Sequence, residues 1–489
     1  MPIVWSPWHA EAFARARAES KPVLLSISAV WCRGCREMDR TSYADPAVER
    51  LVTERFVAVR VDADRRPDIA ERYGLGGLPT TAFLTAEGDL AGGGTFVPVE
   101  RLAGVLERAV EAFRARGDEI AGGRRTGSAA RAAAQPAPRP AEDALIGSVF
   151  ASYDAEHGGF GVGPKFPITA PLHLALELYA ASSDPAARGV VESTLDAMCT
   201  RELYDEVDGG FFRLATTRDW RWPRHEKLLD VNAAMLRVLT DAAAVLDSAR
   251  YAEAAGDLLR YLAAALADAA EGGWFGSQAA SDEYYAGPTA ASRRLLPPPP
   301  VDRTLYASWN GAMISAALRA ARMRDDAGLA EFAIRSLERI LVAGYRPGAG
   351  VAHYLDGGPR VRGLLEDQIA MAAAALDAAE ATGRVPYEMI AEELALYALR
   401  TMWDEGDGGL FDRAPGDGPD DLGLLREPVK PFVANCQAAR LFVRLAASSG
   451  NHDFTSKAAE ILDSLAPAAA GEGPLAAHYV LAMREAALR

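Results

Sequence analysis

The 489-residue sequence predicts a multidomain chain: an N-terminal α/β domain over 1–116, a linker at 117–141, and an all-α toroid of six helical hairpins, an (α/α)6 fold, over 142–489. Three observations predict this. Up to residue 116 short apolar runs alternate with amphipathic stretches. The segment that follows, "GDEIAGGRRTGSAARAAAQPAPRPA", has no apolar period. Beyond it, twelve helix-periodic segments are joined alternately by short and long connections.

In the first domain "PVLLSIS" (22–28) and "FVAVRVDA" (56–63) read as strands, 33–53 as a helix, and "PDIAERYG" as a short helix stopped by Gly74. "LPTTAFLTAEGDLAGGGTFV" reads as two strands around a Gly turn, and 99–116 as an amphipathic helix. The C-x-x-C of "SAVWCRGCREM" (28–38) falls where the first strand meets a helix. Cys32 then sits at a helix N-terminus, where the dipole and the flanking Arg33 and Arg36 favour thiolate. That makes Cys32 the expected nucleophile and Cys35 the resolving thiol. Pro79 in "GGLPT" opens a strand, and a cis proline there is expected to hold substrate backbone against the pair. Zinc half-sites share the C-x-x-C spacing, but the chain has no second C-x-x-C and no H-x3–5-H. A redox dithiol is preferred over an inert pair, and no metal or cofactor is expected.

The predicted helices of the second domain are 142–153, 171–181, 185–203, 225–246, 250–270, 308–323, 327–343, 364–381, 386–402, 431–448, 452–465 and 474–488. Four long loops carry similar text: "YDAEHGGFG", "YDEVDGGFF", "ADAAEGGWF" and "WDEGDGGLF". Helices that follow long loops are expected to form the inner ring, with polar first turns lining a pocket at the loop end.

A formal net charge of -15, with no basic block, disfavours nonspecific attraction to nucleic acid or anionic lipid. No uninterrupted run of about 18 apolar residues occurs, so no membrane span is predicted. No secretory signal is read at the N-terminus, and four cysteines suit a reducing compartment; the expected location is cytoplasmic.

The stretch from "WCRGCREM" to "GGLPTTAFLTAEGDLAGGGTFVP" resembles the N-terminal thioredoxin-like domain of the spermatogenesis-associated protein 20-like family, whose motif is C-H-W-C-H-x-M. Cys32, Cys35 and Met38 match it, whereas Arg33, Gly34 and Arg36 replace its His, Trp and His. "GGFGVGPKFP", "SWNGAMI", "LLEDQIA" and "RHEKLLDVNA" resemble further family segments, with Glu226, Lys227 and Asn232 matching and Arg224 and Val231 departing. The resemblance implies a helical domain similar to N-acylglucosamine 2-epimerases and six-hairpin glycosidases, and hence a carbohydrate-type pocket.

Glu226, Glu366 and Asp367 are the candidate acid/base carboxylates, each equally able to cap a helix entrance. His225 and His353 are the candidate proton-transfer histidines of an epimerase or isomerase. Lys165, Lys227, Asn232, Trp309, Asn310 and Asn435 are candidate substrate-binding groups, together with Pro79 in the first domain. Trp220, Trp222 and Phe166 are further candidates for stacking on sugars. Three functions stay open: a dithiol module joined to a carbohydrate-active toroid, a thiol–disulfide oxidoreductase whose toroid binds a client protein, and a noncatalytic scaffold. The expected partners are a sugar-like small molecule and a protein thiol or disulfide.

Overall fold

The computed structural model describes residues 2–122, 139–416 and 418–488, and chain packing divides it into two units. Unit 1 comprises Met1–Ala132 with Pro415–Val429, and unit 2 the remaining segments Ala133–Ala414 and Lys430–Arg489. Of the expected linker, 117–122 continue a helix and 123–138 lie outside the described residues.

Unit 1 runs α1 (Ala10–Glu19), β1 (Val23–Ser28), α2 (Arg33–Arg40), α3 (Pro46–Arg55), β2 (Val57–Asp62), α4 (Pro67–Tyr73), β3 (Thr80–Leu84), β4 (Leu90–Gly94) and α5 (Val99–Gly122). The sheet order is β2-β1-β3-β4, with β1 parallel to β2 and antiparallel to β3. The single helix expected over 33–53 is two. The carboxylate of Asp45 accepts from the N–H groups of Ala47 and Val48, and Pro46 opens α3, so the chain restarts there. Fully buried Val23, Leu25, Val57 and Val59 place one core under the sheet.

Pro415–Val429 was read with the helical domain, yet it completes the core of unit 1. Leu422 and Leu425 are buried with Trp8, Phe13 and Tyr73. The Trp8 indole donates to the Asp420 carbonyl (3.0 Å), and the Arg72 guanidinium to the carbonyls of Leu424 and Glu427 (both 2.9 Å). The Tyr73 hydroxyl donates to Gly88 O (2.6 Å) and accepts from Leu424 N–H (2.9 Å). Sequence order hid this segment, because over 300 residues separate its partners.

Unit 2 is the expected six-hairpin toroid. Its helices are α6 (Glu142–Phe150), α7 (Ala170–Ser182), α8 (Pro185–Thr200), α9 (Leu229–Val245), α10 (Ala249–Tyr261), the short α11 (Asp282–Tyr285) and α12 (Ala290–Arg293), α13 (Ala307–Arg324), α14 (Ala327–Gly344), α15 (Leu365–Thr382), α16 (Val385–Met402), α17 (Phe432–Ser449), α18 (Asp453–Ala469) and α19 (Ala476–Ala487). The inner ring is α7, α9, α13, α15, α17 and α19: each packs on the next, and α19 closes onto α7. The helices predicted at 225–246 and 250–270 are shorter at one end, because 227–228 form a strand and Leu262–Leu266 a π-helical turn.

The four similar loops share one construction. In each, an Asp N–H donates to the carbonyl of the second Gly and the first Gly N–H returns to the Asp carbonyl, at Asp154, Asp205, Asp268 and Asp404. Both glycines have positive φ, and at Gly210 an added Cβ would lie 2.4 Å from the Tyr261 ring, so only glycine fits. A cation closes each carboxylate: Lys165 on Asp154 (2.9 Å), Lys227 on Asp205 (2.7 Å), Arg339 on Asp268 (2.8 Å) and Lys430 on Asp404.

Gly423 tests the inserted segment. Its φ is 52° and an added Cβ would lie 2.1 Å from Gly88 O. Gly423→Ala is expected to destabilise unit 1 by about 2–3 kcal/mol in thermal unfolding. Gly418→Ala, where the nearest atom would be 3.5 Å away, is expected to change little.

Candidate functional site

In unit 1 Cys32 is the N-cap of α2 and forms a disulfide with Cys35, whose N–H donates to Cys32 Sγ (3.1 Å). Leu78–Pro79 is a cis peptide, and an added Cβ at Gly34 would sit 3.2 Å from Pro79 Cδ. Gly34 thus lets the proline loop lie against the turn that joins the two cysteines. The Trp31 indole donates to Asp64 Oδ2 (2.7 Å), which fixes the residue before the pair. Cys199 stands apart, its thiol pushed up to about 12 by burial, and burial raises Cys436 as well.

The toroid residues expected to bind substrate are bound to the protein itself. Asn232 Nδ2 donates to the carbonyls of Phe211 and Leu228, and its Oδ1 accepts from Phe211 N–H (2.8 Å). Asn310 does the same with Trp274 and Tyr306, and Asn435 with Leu410 and Pro431. Gln368, which sequence reading passed over, repeats the pattern with Val351 and Leu364. Each amide therefore ties the start of an inner helix to the loop before it. Lys165 and Lys227 are fully buried in the loop ion pairs described above. Burial pushes the Lys227 ammonium down to about 8, against the pull of Asp205.

Among the other candidates His353, Asp367 and Trp309 meet around Tyr306, while Glu226 and His225 are paired with other residues. Glu226 is buried and accepts from Arg213 (2.7 Å). His353 Nδ1 lies 2.9 Å from Asp367 Oδ2, and Asp367 also accepts from Ser308 N–H (3.1 Å). Trp309 packs on Tyr306, with ring centres 4.7 Å apart. His225 pairs with Asp282 (3.1 Å) and stacks on Tyr285, while Glu366 is exposed. Trp220 is fully buried; Trp222 and Phe166 are exposed.

His225 lines a space of about 640 Å³ with Phe212, Tyr285 and Arg293. A central cavity lies elsewhere. All six inner helices enclose a space of about 570 Å³, and none of the predicted toroid residues lines it. Its arginines, Asp241 and Glu485 stand on later turns of the inner helices, His173, Asp230 and His478 on first turns, and the lining includes no Phe, Tyr or Trp among the described residues. Asp241 on α9 accepts from Arg237 (2.9 Å) and Arg319 (2.9 Å), with His173 Nδ1 at 3.4 Å. Burial works against its charge, but the His173 bond and Arg237 hold its carboxyl well below the usual range. His478 on α19 and His173 on α7 share this wall. Burial lowers both imidazoles, His478 to about 4 with Arg440 and His173 adding to the effect; Asp241 partly offsets the shift at His173. Burial raises the carboxyls of Glu177 and Asp230. The available signal was the spacing of His173–Glu177, Arg237–Asp241 and Arg440–Arg444, four residues apart on alanine-rich inner helices.

His478 carries a pH consequence. Unfolded, the imidazole takes a proton near its ordinary value of 6.5, whereas folded it does so only near 4. Between those values the unfolded chain holds more protons, so stability falls as pH falls. Wild type is expected to lose about 2–3 kcal/mol more than His478→Gln between pH 7 and pH 4 in denaturant unfolding.

Residues 1–125 match the family described as Thioredox_DsbH, protein of unknown function, DUF255. Spermatogenesis-associated protein 20 of Mus musculus is 29% identical over 307 residues, 57% of this chain and 39% of that protein. The first curated relatives are thus matched over about two fifths of their length. The thiol:disulfide interchange protein DsbD of Salmonella typhi is 33% identical over 78 residues, 15% of this chain and 14% of that protein. Among solved structures, a D-mannose isomerase superposes with TM-score 0.54 at 12% identity, over 66% of this chain and 83% of that one. No described helix is long and apolar enough to cross a membrane. The chain is therefore similar to spermatogenesis-associated protein 20, with a thioredoxin-like N-terminal domain and a helical unit that shares the fold of D-mannose isomerase.

Proposed function

We propose that the chain joins thiol–disulfide exchange at Cys32 and Cys35 to proton transfer on a sugar-like small molecule in the toroid cavity. The observation that carries the first half is the Cys32–Cys35 disulfide at a helix N-terminus beside Pro79. In the reducing direction the Cys32 thiolate attacks a client disulfide, forming a mixed disulfide and releasing one client thiolate. Cys35 then attacks the Cys32 sulfur, which releases the second client thiolate and leaves the pair oxidised. A reducing, cytoplasmic compartment would return the pair to the dithiol. With the pair reduced by dithiothreitol and the excess removed, Cys32→Ser is expected to abolish thiol release from a small disulfide. Cys35→Ser is expected to accumulate the mixed disulfide, read by mass spectrometry.

For the toroid, the support is a cavity in the size range of small-molecule sites, with His173 and His478 both favouring the neutral form. Neutral imidazoles suit removal and return of a proton beside a sugar carbonyl, the chemistry of an epimerase or isomerase. A glycosidase reading has less support, since Glu226, Glu366 and Asp367 do not line the cavity. Reducing sugars incubated with the protein in D2O are expected to gain deuterium at carbon 2. His478→Gln is expected to slow that gain by about 100-fold or more. If no reducing sugar exchanges while the disulfide assay stays active, the toroid serves client binding instead.

A further inference from the structure

Three arginines in the toroid cavity share an unusual geometry. Arg237 and Arg319 each donate through Nε to Asp241 (2.9 Å each), and Arg440 donates through Nε to Glu485 (2.8 Å). No Nη atom of the three makes a hydrogen bond among the described residues. They come from α9, α13 and α17, yet all three line both the central cavity and an adjoining space of about 550 Å³ beside the C-terminal turns of the inner helices. Arg444 lines the same walls but spends its Nη2 on Asp377 (2.6 Å) and Glu380 (2.8 Å).

A guanidinium anchored through Nε is held in orientation while its Nη pair is left to bind. That pair matches two oxygens of a phosphate or carboxylate, a geometry lysine does not offer. A neutral sugar gains little from three such forks. It gains more from aromatic faces, which this lining lacks. Carboxylates beside the forks are already engaged: Asp241 by Arg237, Arg319 and His173, Glu485 by Arg440, and Asp377 and Glu380 by Arg444. Glu177 and Asp230 also face the space, and burial raises both carboxyls.

We infer that the cavity recognises a small molecule through an oxyanion group, phosphate or carboxylate, gripped by Arg237, Arg319 and Arg440. The inference rests on the reading of this cavity as the substrate site and narrows the substrate from a neutral sugar to an anionic one.

The test is calorimetric titration of the full chain at low ionic strength with glucose, glucuronate, glucose 6-phosphate and inorganic phosphate, repeated with Arg319→Gln and Arg440→Gln. Circular dichroism checks that each variant is folded. The expected result is that at least one anionic sugar binds about tenfold or more tighter than glucose, and that each substitution weakens it about tenfold or more. A response to glucuronate alone assigns carboxylate, and a response to the phosphates alone assigns phosphate. Binding of inorganic phosphate that both substitutions abolish, with no sugar turned over, upholds the anion site and sinks the proton-transfer reading. Equal binding of glucose and the anions, anion binding that survives both substitutions, or no anion binding at all overturns the inference.

Discussion

The toroid depends on a hydrogen-bond clasp made four times. Asn232, Asn310, Gln368 and Asn435 each reach back four residues to the carbonyl that starts their helix and across to both backbone groups of one loop residue. A buried amide left without these partners would cost about 1–3 kcal/mol per group, so helix start and loop position are set together. The Asp–cation pairs in the neighbouring loops act the same way. The ends of α9, α13, α15 and α17 are thereby pinned, and their later turns are free to carry charge into the space they enclose.

That division of labour explains why the polar residues separate into two sets. The four clasp amides and the loop cations satisfy the loops and have no capacity left for a ligand. Other groups on the inner helices, His173 on a first turn and Asp241 and Arg440 further along, face a shared interior where burial shifts protonation and ion pairs orient guanidinium forks. The inner helices can host both because small residues such as Ala233, Gly311 and Ala370 keep the wall thin between them.

Unit 1 obeys a different constraint. Its dithiol sits on local geometry, a strand end, a helix start and a proline loop that Gly34 allows to approach. Its core, however, needs Leu422 and Leu425 from a segment bracketed by α16 and α17, so the thioredoxin-like fold is completed by chain drawn from between two toroid helices. The backbone groups that hold this segment, at Asp420, Leu424 and Glu427, carry no residue-type signature.

The sequence by itself determined whatever is periodic or local. The strands flanking "WCRGC", the position of Cys32 as a cap, the twelve long helices and the kinship of the "DGG" loops all follow from spacing, because helix period, strand alternation and glycine turns act over a few residues. It also marked Asn232, Asn310 and Asn435 as groups in need of partners, without saying whether protein or ligand supplies them. Only the tertiary structure decided that the protein supplies them, that Lys165 and Lys227 close loops, and that the cavity belongs to residues such as Arg237, Arg319 and His478 instead. Their convergence comes from closing six helices into a ring. That closure joins side chains hundreds of residues apart, a relation no pattern along the chain encodes.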